Sequence, residues 1–104
     1  MRFLLPLLLP LLVSCEPWRL ERAARTQCQQ GLAVVQRVAA MNRGTMSVSD
    51  RARTVAELKI ALGLFRDGLA SYAKAEEKTG KAYDVTAYIE GLKAARMMMM
   101  ELKD

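Results

Sequence analysis

The sequence contains no histidine among its 104 residues, and cysteine, proline and glycine are scarce, with two, three and six residues. Without histidine the chain lacks the commonest general base and the commonest metal ligand, which excludes catalytic triads and histidine-based zinc sites. Aromatic residues make up only 6%, and a net charge of +5 is too small to indicate nucleic-acid binding. The length allows one small domain. Abundant leucine, alanine and methionine favour helices.

The first fifteen residues, MRFLLPLLLPLLVSC, combine one basic side chain, Arg2, with an uninterrupted apolar run over residues 3–13. This is the pattern of a secretory signal. The run is shorter than the roughly 20 apolar residues that a membrane-spanning helix needs. Pro6 and Pro10 also count against a spanning helix, because each removes a backbone donor. The sequence therefore predicts an exported protein.

The run ends in Leu12-Val13-Ser14-Cys15, which resembles the lipobox of bacterial lipoprotein precursors. The resemblance covers only the leader and indicates a processing class. It implies that residues 1–14 are a cleaved signal peptide and that Cys15 carries the lipid, which includes palmitate. The mature chain, residues 15–104, would then be anchored to a membrane of the bacterial cell envelope. No cofactor other than this lipid is expected.

Two residues near the lipobox refine this prediction. Inner-membrane lipoproteins often carry Asp directly after the lipidated cysteine, so the resemblance favours the outer membrane for a chain with Glu16 there. Lipidation leaves Cys28 as a single thiol on an apolar helix face, and we expect it to be buried and free. An intermolecular disulfide and a reactive nucleophile are the alternatives, and without lipidation a Cys15–Cys28 disulfide becomes available.

Three amphipathic segments predict helices over about 17–41, 49–78 and 84–102. They indicate an all-α fold, a small three-helix bundle in which an antiparallel hairpin is joined by an N-terminal helix. An extended two-helix coiled coil that dimerises is the alternative, because so short a chain makes a marginal core. The apolar stripe of the second helix has alternating three- and four-residue spacing: Val55, Leu58, Leu62, Phe65, Leu69 and Tyr72. Ala61, Leu64, Gly68 and Ala75 widen this stripe on one flank.

Local signals set the helix ends. Pro17 suits a first helical position, and Gly44 is expected to adopt a positive φ after the first helix. Ser47 and Asp50 have capping-box spacing, and Asp84 is a candidate N-cap for the third helix.

Arg19, Arg22 and Arg25 fall in the first turns of the first predicted helix, where the helix macrodipole disfavours cations. Contact with anionic lipid headgroups beside the anchor would offset that cost. The plainer interpretation is a solvated face with Glu21 paired locally.

Four consecutive methionines, residues 97–100, point in four directions on a helix. Met97 and Met100 are expected on the exposed side, where they could form a flexible docking patch for a partner. Thioethers also bind Cu(I), but no third soft ligand lies nearby in the sequence, so no metal is expected.

The remaining polar residues predict no chemistry. The carboxylates of Glu57, Asp67, Glu76, Glu77, Glu90 and Glu101 are expected to form solvated ion pairs with Lys59, Lys74, Lys78 and Lys93. The sequence has no phosphate loop or nucleophile elbow, so an enzyme is not expected. The leading hypothesis is a non-catalytic, lipid-anchored binding or scaffolding module whose partner is an envelope protein or the cell wall. A soft-metal or redox protein that uses the methionines and Cys28, and a small inhibitor of an envelope hydrolase, are the alternatives.

Overall fold

A computed structural model describes the backbone of residues 5–103 and the side chains of residues 18–103. Helix α1 spans Leu5–Ala39, α2 spans Val48–Thr79 and α3 spans Thr86–Lys103, and a short 3-10 turn, Arg43–Thr45, lies between the first two. All three helices pack against one another, most extensively α1 against α2. The predicted all-α three-helix bundle is confirmed. The molecule is elongated, with extents of 65 × 28 × 17 Å.

The buried positions recur in alternating steps of four and three residues along each helix, as in bundles with nearly parallel axes. They are Ala24, Cys28, Gly31, Val35 and Val38 in α1, Thr54, Leu58, Ala61, Phe65, Gly68, Tyr72 and Ala75 in α2, and Gly91, Ala95, Met98 and Leu102 in α3. Of the apolar face that helical spacing predicts for α1, five residues are buried, Leu20 is partly buried and Ala39 is exposed. In α2 the seam is shifted, because the small residues Ala61 and Gly68 occupy its centre and Val55, Leu62 and Leu69 lie at its flank.

Helix α1 begins much earlier than predicted, at Leu5 instead of about residue 17. Leucine is a strong helix former, and the helix runs through the leader with Pro10 and Pro17 in its interior, although each of these prolines removes a backbone donor. The other helix ends fall within about two residues of their predicted positions.

The end of α1 is closed by an arginine instead of a glycine. The Arg43 guanidinium donates to the carbonyl oxygens of Val38, at 3.2 Å, and Ala39, at 3.3 Å. The prediction of a positive φ at Gly44 is wrong, since Gly44 lies in the right-handed 3-10 turn. Among the described residues only Gly80, directly after α2, has a positive φ, of 73°.

The predicted N-cap of α2 is confirmed, whereas Asp84 lies one residue before the N-cap position of α3, which Val85 occupies. The Asp50 amide donates to Ser47 Oγ at 3.2 Å, which confirms the N-cap of α2. Helix α3 begins two residues after Asp84, whose Oδ1 accepts from the Thr86 hydroxyl at 2.7 Å and the Thr86 amide at 3.1 Å. These two hydrogen bonds hold the pKa of Asp84 below its ordinary value.

Candidate functional site

The register between α1 and α2 locates the lipobox relative to the bundle. A Cβ added at Gly68 would overlap Cys28 Sγ, so these two residues are level with each other. Thr79 lies eleven positions after Gly68, and Pro17 lies eleven positions before Cys28. Helix α2 therefore ends level with Pro17, and the first part of α1 extends beyond α2 by about 18 Å, at 1.5 Å per residue. Cys15 lies at this boundary in the backbone, although the side chains of Leu12, Val13, Ser14 and Cys15 are outside the described set.

Basic and aromatic side chains occupy α1 just inside this boundary. Trp18 is 57% exposed, and the Arg22 guanidinium lies over its ring, 5.3 Å from the centroid. Arg19 is exposed beside them, and the three line a shallow surface depression. Arg25 instead pairs with Glu21, with 2.9 Å between Nη2 and Oε1.

The macrodipole argument for these arginines needs a first helix that begins near Cys15, and it does not hold for α1 of the full-length chain. Arg19 lies fourteen residues into α1, whereas the effect of the helix dipole falls off within the first turn. The Arg22–Trp18 contact and the Arg25–Glu21 ion pair are enough to account for the conformations of two of the three side chains.

Cys28 is buried and free, as predicted. It packs in a cluster with Ala24 and Tyr72, and burial raises the pKa of its thiol to about 11. A disulfide between Cys15 and Cys28 is incompatible with the structure, because thirteen residues of one helix separate them by about 20 Å. A disulfide needs Cα atoms within roughly 7 Å.

Cys28 is therefore expected to react with a thiol reagent such as Ellman's reagent only when the bundle opens. At pH 8 the folded protein should show at most a few per cent of the rate seen in denaturant, because the thiol is both covered and protonated. Reaction of the folded protein at the rate of a free peptide thiol would show that Cys28 is accessible and restore the redox alternative.

The four methionines are arranged as predicted. Met98 is buried and Met99 is partly buried, whereas Met97 and Met100 are 67% and 68% exposed. Met100 lines a cleft of about 220 Å³ on the seam between α2 and α3, together with Leu62, Arg96, Met99 and Lys103.

The structure does not bring Cys28 to the methionines, as the soft-metal alternative would need. Gly91 is level with Leu32, as a Cβ added to Gly91 would lie 3.2 Å from Leu32 Cδ1. Because α1 and α3 run in parallel, Met97 and Cys28 are separated by about 15 Å along the bundle axis. In the described part of the chain, no group of three Cys, Asp or Glu side chains could hold a metal ion.

The carboxylates are used to join elements, and arginine is the more frequent partner. Glu57 on α2 pairs with Arg37 on α1 at 2.7 Å, and Glu101 on α3 pairs with Arg43 at 3.0 Å. The prediction of lysine partners is wrong for these two, since the bundle brings arginines of other elements closer than the lysines of the same helix. Lys93 does approach Glu90, at 3.9 Å. Glu76 Oε1 accepts from the Tyr83 amide at 2.9 Å and thereby holds the linker after α2.

Sequence reasoning did not anticipate the aromatic cluster at the Cys15 end of the bundle. The rings of Tyr83 and Tyr88 lie 5.4 and 6.0 Å from that of Tyr72, centroid to centroid. Burial raises the pKa of Tyr72. The cluster covers Cys28 and fixes the linker against α2, and the three widely spaced tyrosines give no local signal of it in the sequence.

Comparison with known proteins identifies no relative: no family model, no curated protein and no solved structure matches the chain. Within residues 5–103, no helix combines the length and the apolar character that crossing a membrane requires.

Proposed function

We propose that this protein is a small bacterial lipoprotein, lipidated on Cys15, that acts as a non-catalytic binding module in the cell envelope. The observation that carries the proposal is the coincidence of two boundaries. The motif Leu12-Val13-Ser14-Cys15 ends at Cys15, and α2, against which α1 packs, ends level with Pro17. Removal of residues 1–14 would take away the part of α1 that extends beyond α2 and leave the bundle intact.

The same boundary determines how the bundle would meet the membrane. Cys15 lies only two residues before Pro17, which is level with the end of α2, so the bundle would stand close to the bilayer with little freedom to move away from it. Trp18, Arg19 and Arg22 would then lie at headgroup depth, where tryptophan is favoured and each basic side chain contributes about 1 kcal/mol at an anionic surface. The residue after the anchor, Glu16, favours the outer membrane.

Replacement of each cysteine in turn tests the anchor. Cys15→Ala is expected to abolish incorporation of labelled palmitate into the protein and to release the protein from the membrane fraction. Cys28→Ala is the matched control, because it removes the other thiol of the same helix and should keep the full label. Palmitate label that persists in Cys15→Ala, or that is lost in Cys28→Ala with the fold retained, contradicts the proposal.

A further inference from the structure

Five basic side chains lie along the outer surface where α2 contacts α3: Arg51, Lys59, Arg66, Arg96 and Lys103. The cleft lined by Leu62, Arg96, Met99, Met100 and Lys103 continues into a second one of about 430 Å³, lined by Val48, Arg51, Ala52, Val55, Leu102 and Lys103. Lys59 and Arg66 lie three residues before and four residues after Leu62, so they flank it on the same face of α2. We call this surface the α2–α3 groove.

The groove has basic rims and an apolar floor. Its α2 rim carries Lys59 and Arg66, and its α3 rim carries Arg96 and Lys103, with a seven-residue interval on each side. The floor is Val55, Leu62 and Met99, all partly buried, with Met100 exposed at the edge. Among the residues up to Lys103, no Asp or Glu lines either cleft.

The rim cations are free to bind a partner. The ion pairs of Glu21, Glu57, Glu90 and Glu101 are formed with other basic residues. Among the described side chains, none forms a hydrogen bond or an ion pair with the side chains of Arg51, Lys59, Arg66, Arg96 and Lys103. The ion pairs Arg37–Glu57 and Arg43–Glu101 thus lie on the α1 side, and the charged side chains that border the α2–α3 groove among residues 48–103 are all basic.

We propose that the α2–α3 groove binds an acidic amphipathic helix of a partner protein, which completes a four-helix bundle. The basic residues of each rim are seven residues apart, which is the length of one heptad repeat. A helix with apolar residues at heptad positions a and d would cover the apolar floor, and Glu at positions e and g would meet the two basic rims. The α2 wall from Val48 to Arg66 is about 27 Å long, which fits a helix of about 18 residues. A second copy of this groove would meet it with like charge, so self-association through this face is disfavoured.

The inference rests on the proposed binding role but not on the lipid. The groove occupies the half of the bundle away from Cys15, with Leu62 about 28 Å from Cys15 along the axis. A partner helix could therefore dock there while the other end of the bundle faces the membrane.

A designed peptide tests the groove. An 18-residue helix with Leu at a and d and Glu at e and g, labelled for fluorescence anisotropy, is titrated with the full-length protein in a neutral detergent. Replacement of the glutamates by glutamine is expected to weaken binding at least tenfold, and so is R96E/K103E in the protein. The control K74E/K81E makes the same change in charge outside the groove and should change affinity less than twofold. All four residues are exposed, so the variants should keep the helical circular dichroism of the parent.

Three results would overturn the proposal. One is equal affinity for the glutamate and glutamine peptides, and another is equal loss in R96E/K103E and K74E/K81E. The third is that R96E/K103E weakens binding to anionic vesicles, or dissociates a dimer, and leaves peptide binding unchanged. The anchor is judged separately by palmitate labelling: an unlabelled chain that binds the peptide refutes the anchor and keeps the groove, and a labelled chain that does not bind refutes the groove alone.

Discussion

Gly68→Ala is expected to destabilise the bundle by about 3 kcal/mol, at the upper end of the range for overpacked cores. The added methyl group would overlap Cys28 Sγ and lie 3.0 Å from the carbonyl oxygen of Ala24, which belongs to the backbone of α1 and cannot rotate away. The helices must therefore separate where their seam is tightest. The measurement is urea unfolding followed by circular dichroism, and the melting temperature should fall by about 15 °C for a domain of this size.

Gly63→Ala is the matched control, because it makes the same change five residues earlier in the same helix. A Cβ at Gly63 would meet nothing within 4 Å, so only the helix preference of alanine acts there. We expect a gain in stability of about 0.5–1 kcal/mol. If the two variants have equal stabilities, the close approach of α1 and α2 at Gly68 is refuted.

Phe65→Ala is expected to cost about 3–5 kcal/mol, a large part of the roughly 5–13 kcal/mol available to a domain of this length. The Phe65 ring is fully buried and fills the centre of the bundle between two glycines of the other helices. A Cβ added at Gly31 would lie 3.1 Å from the Phe65 ring, and a Cβ added at Gly91 would lie 2.8 Å from it. This one side chain therefore contacts all three helices, and its removal leaves a cavity that small neighbours cannot fill.

A double-mutant cycle separates this contact from a general loss of stability. Gly91→Ala alone should cost about 2 kcal/mol, because its methyl group meets the Phe65 ring. In the Phe65→Ala background the same change should be neutral or stabilising, since the methyl group then enters the cavity. Additive effects of the two substitutions on the free energy of unfolding would show that the Phe65 ring does not pack against Gly91.

The sequence predicted the fold because the helix periodicity and the helix ends are local properties. The burial of Cys28 and Val38, the Ser47 cap and the exposure of Met97 and Met100 all follow from spacing along one helix. The seam of α2 was displaced because its centre depends on α1. The buried face of α1 consists mostly of small side chains, so α1 packs closely against Ala61 and Gly68 of α2. The spacing of α2 alone had placed its larger leucines at the centre of the buried face.

The features that sequence reasoning missed all depend on neighbours distant in the chain. Arg43 ends α1 and reaches Glu101, which lies 58 residues later. The seven-residue interval from Lys59 to Arg66, and again from Arg96 to Lys103, is visible in the sequence, but only the pairing of α2 with α3 places both on one groove. Once an up-down-up bundle of three helices is assumed, matched intervals of this kind can be used to predict such a groove from sequence.

We propose Cys15 as the lipidated first residue of the mature protein, and the intact mass of the protein purified from a bacterial membrane is the decisive measurement. We predict a chain that has lost residues 1–14, begins at Cys15 and carries the added mass of a diacylglyceryl group, with or without a third acyl chain. Fragmentation should place that mass on Cys15. A chain that retains Met1, or one cleaved elsewhere with an unmodified Cys15, would refute cleavage before Cys15 and its lipidation.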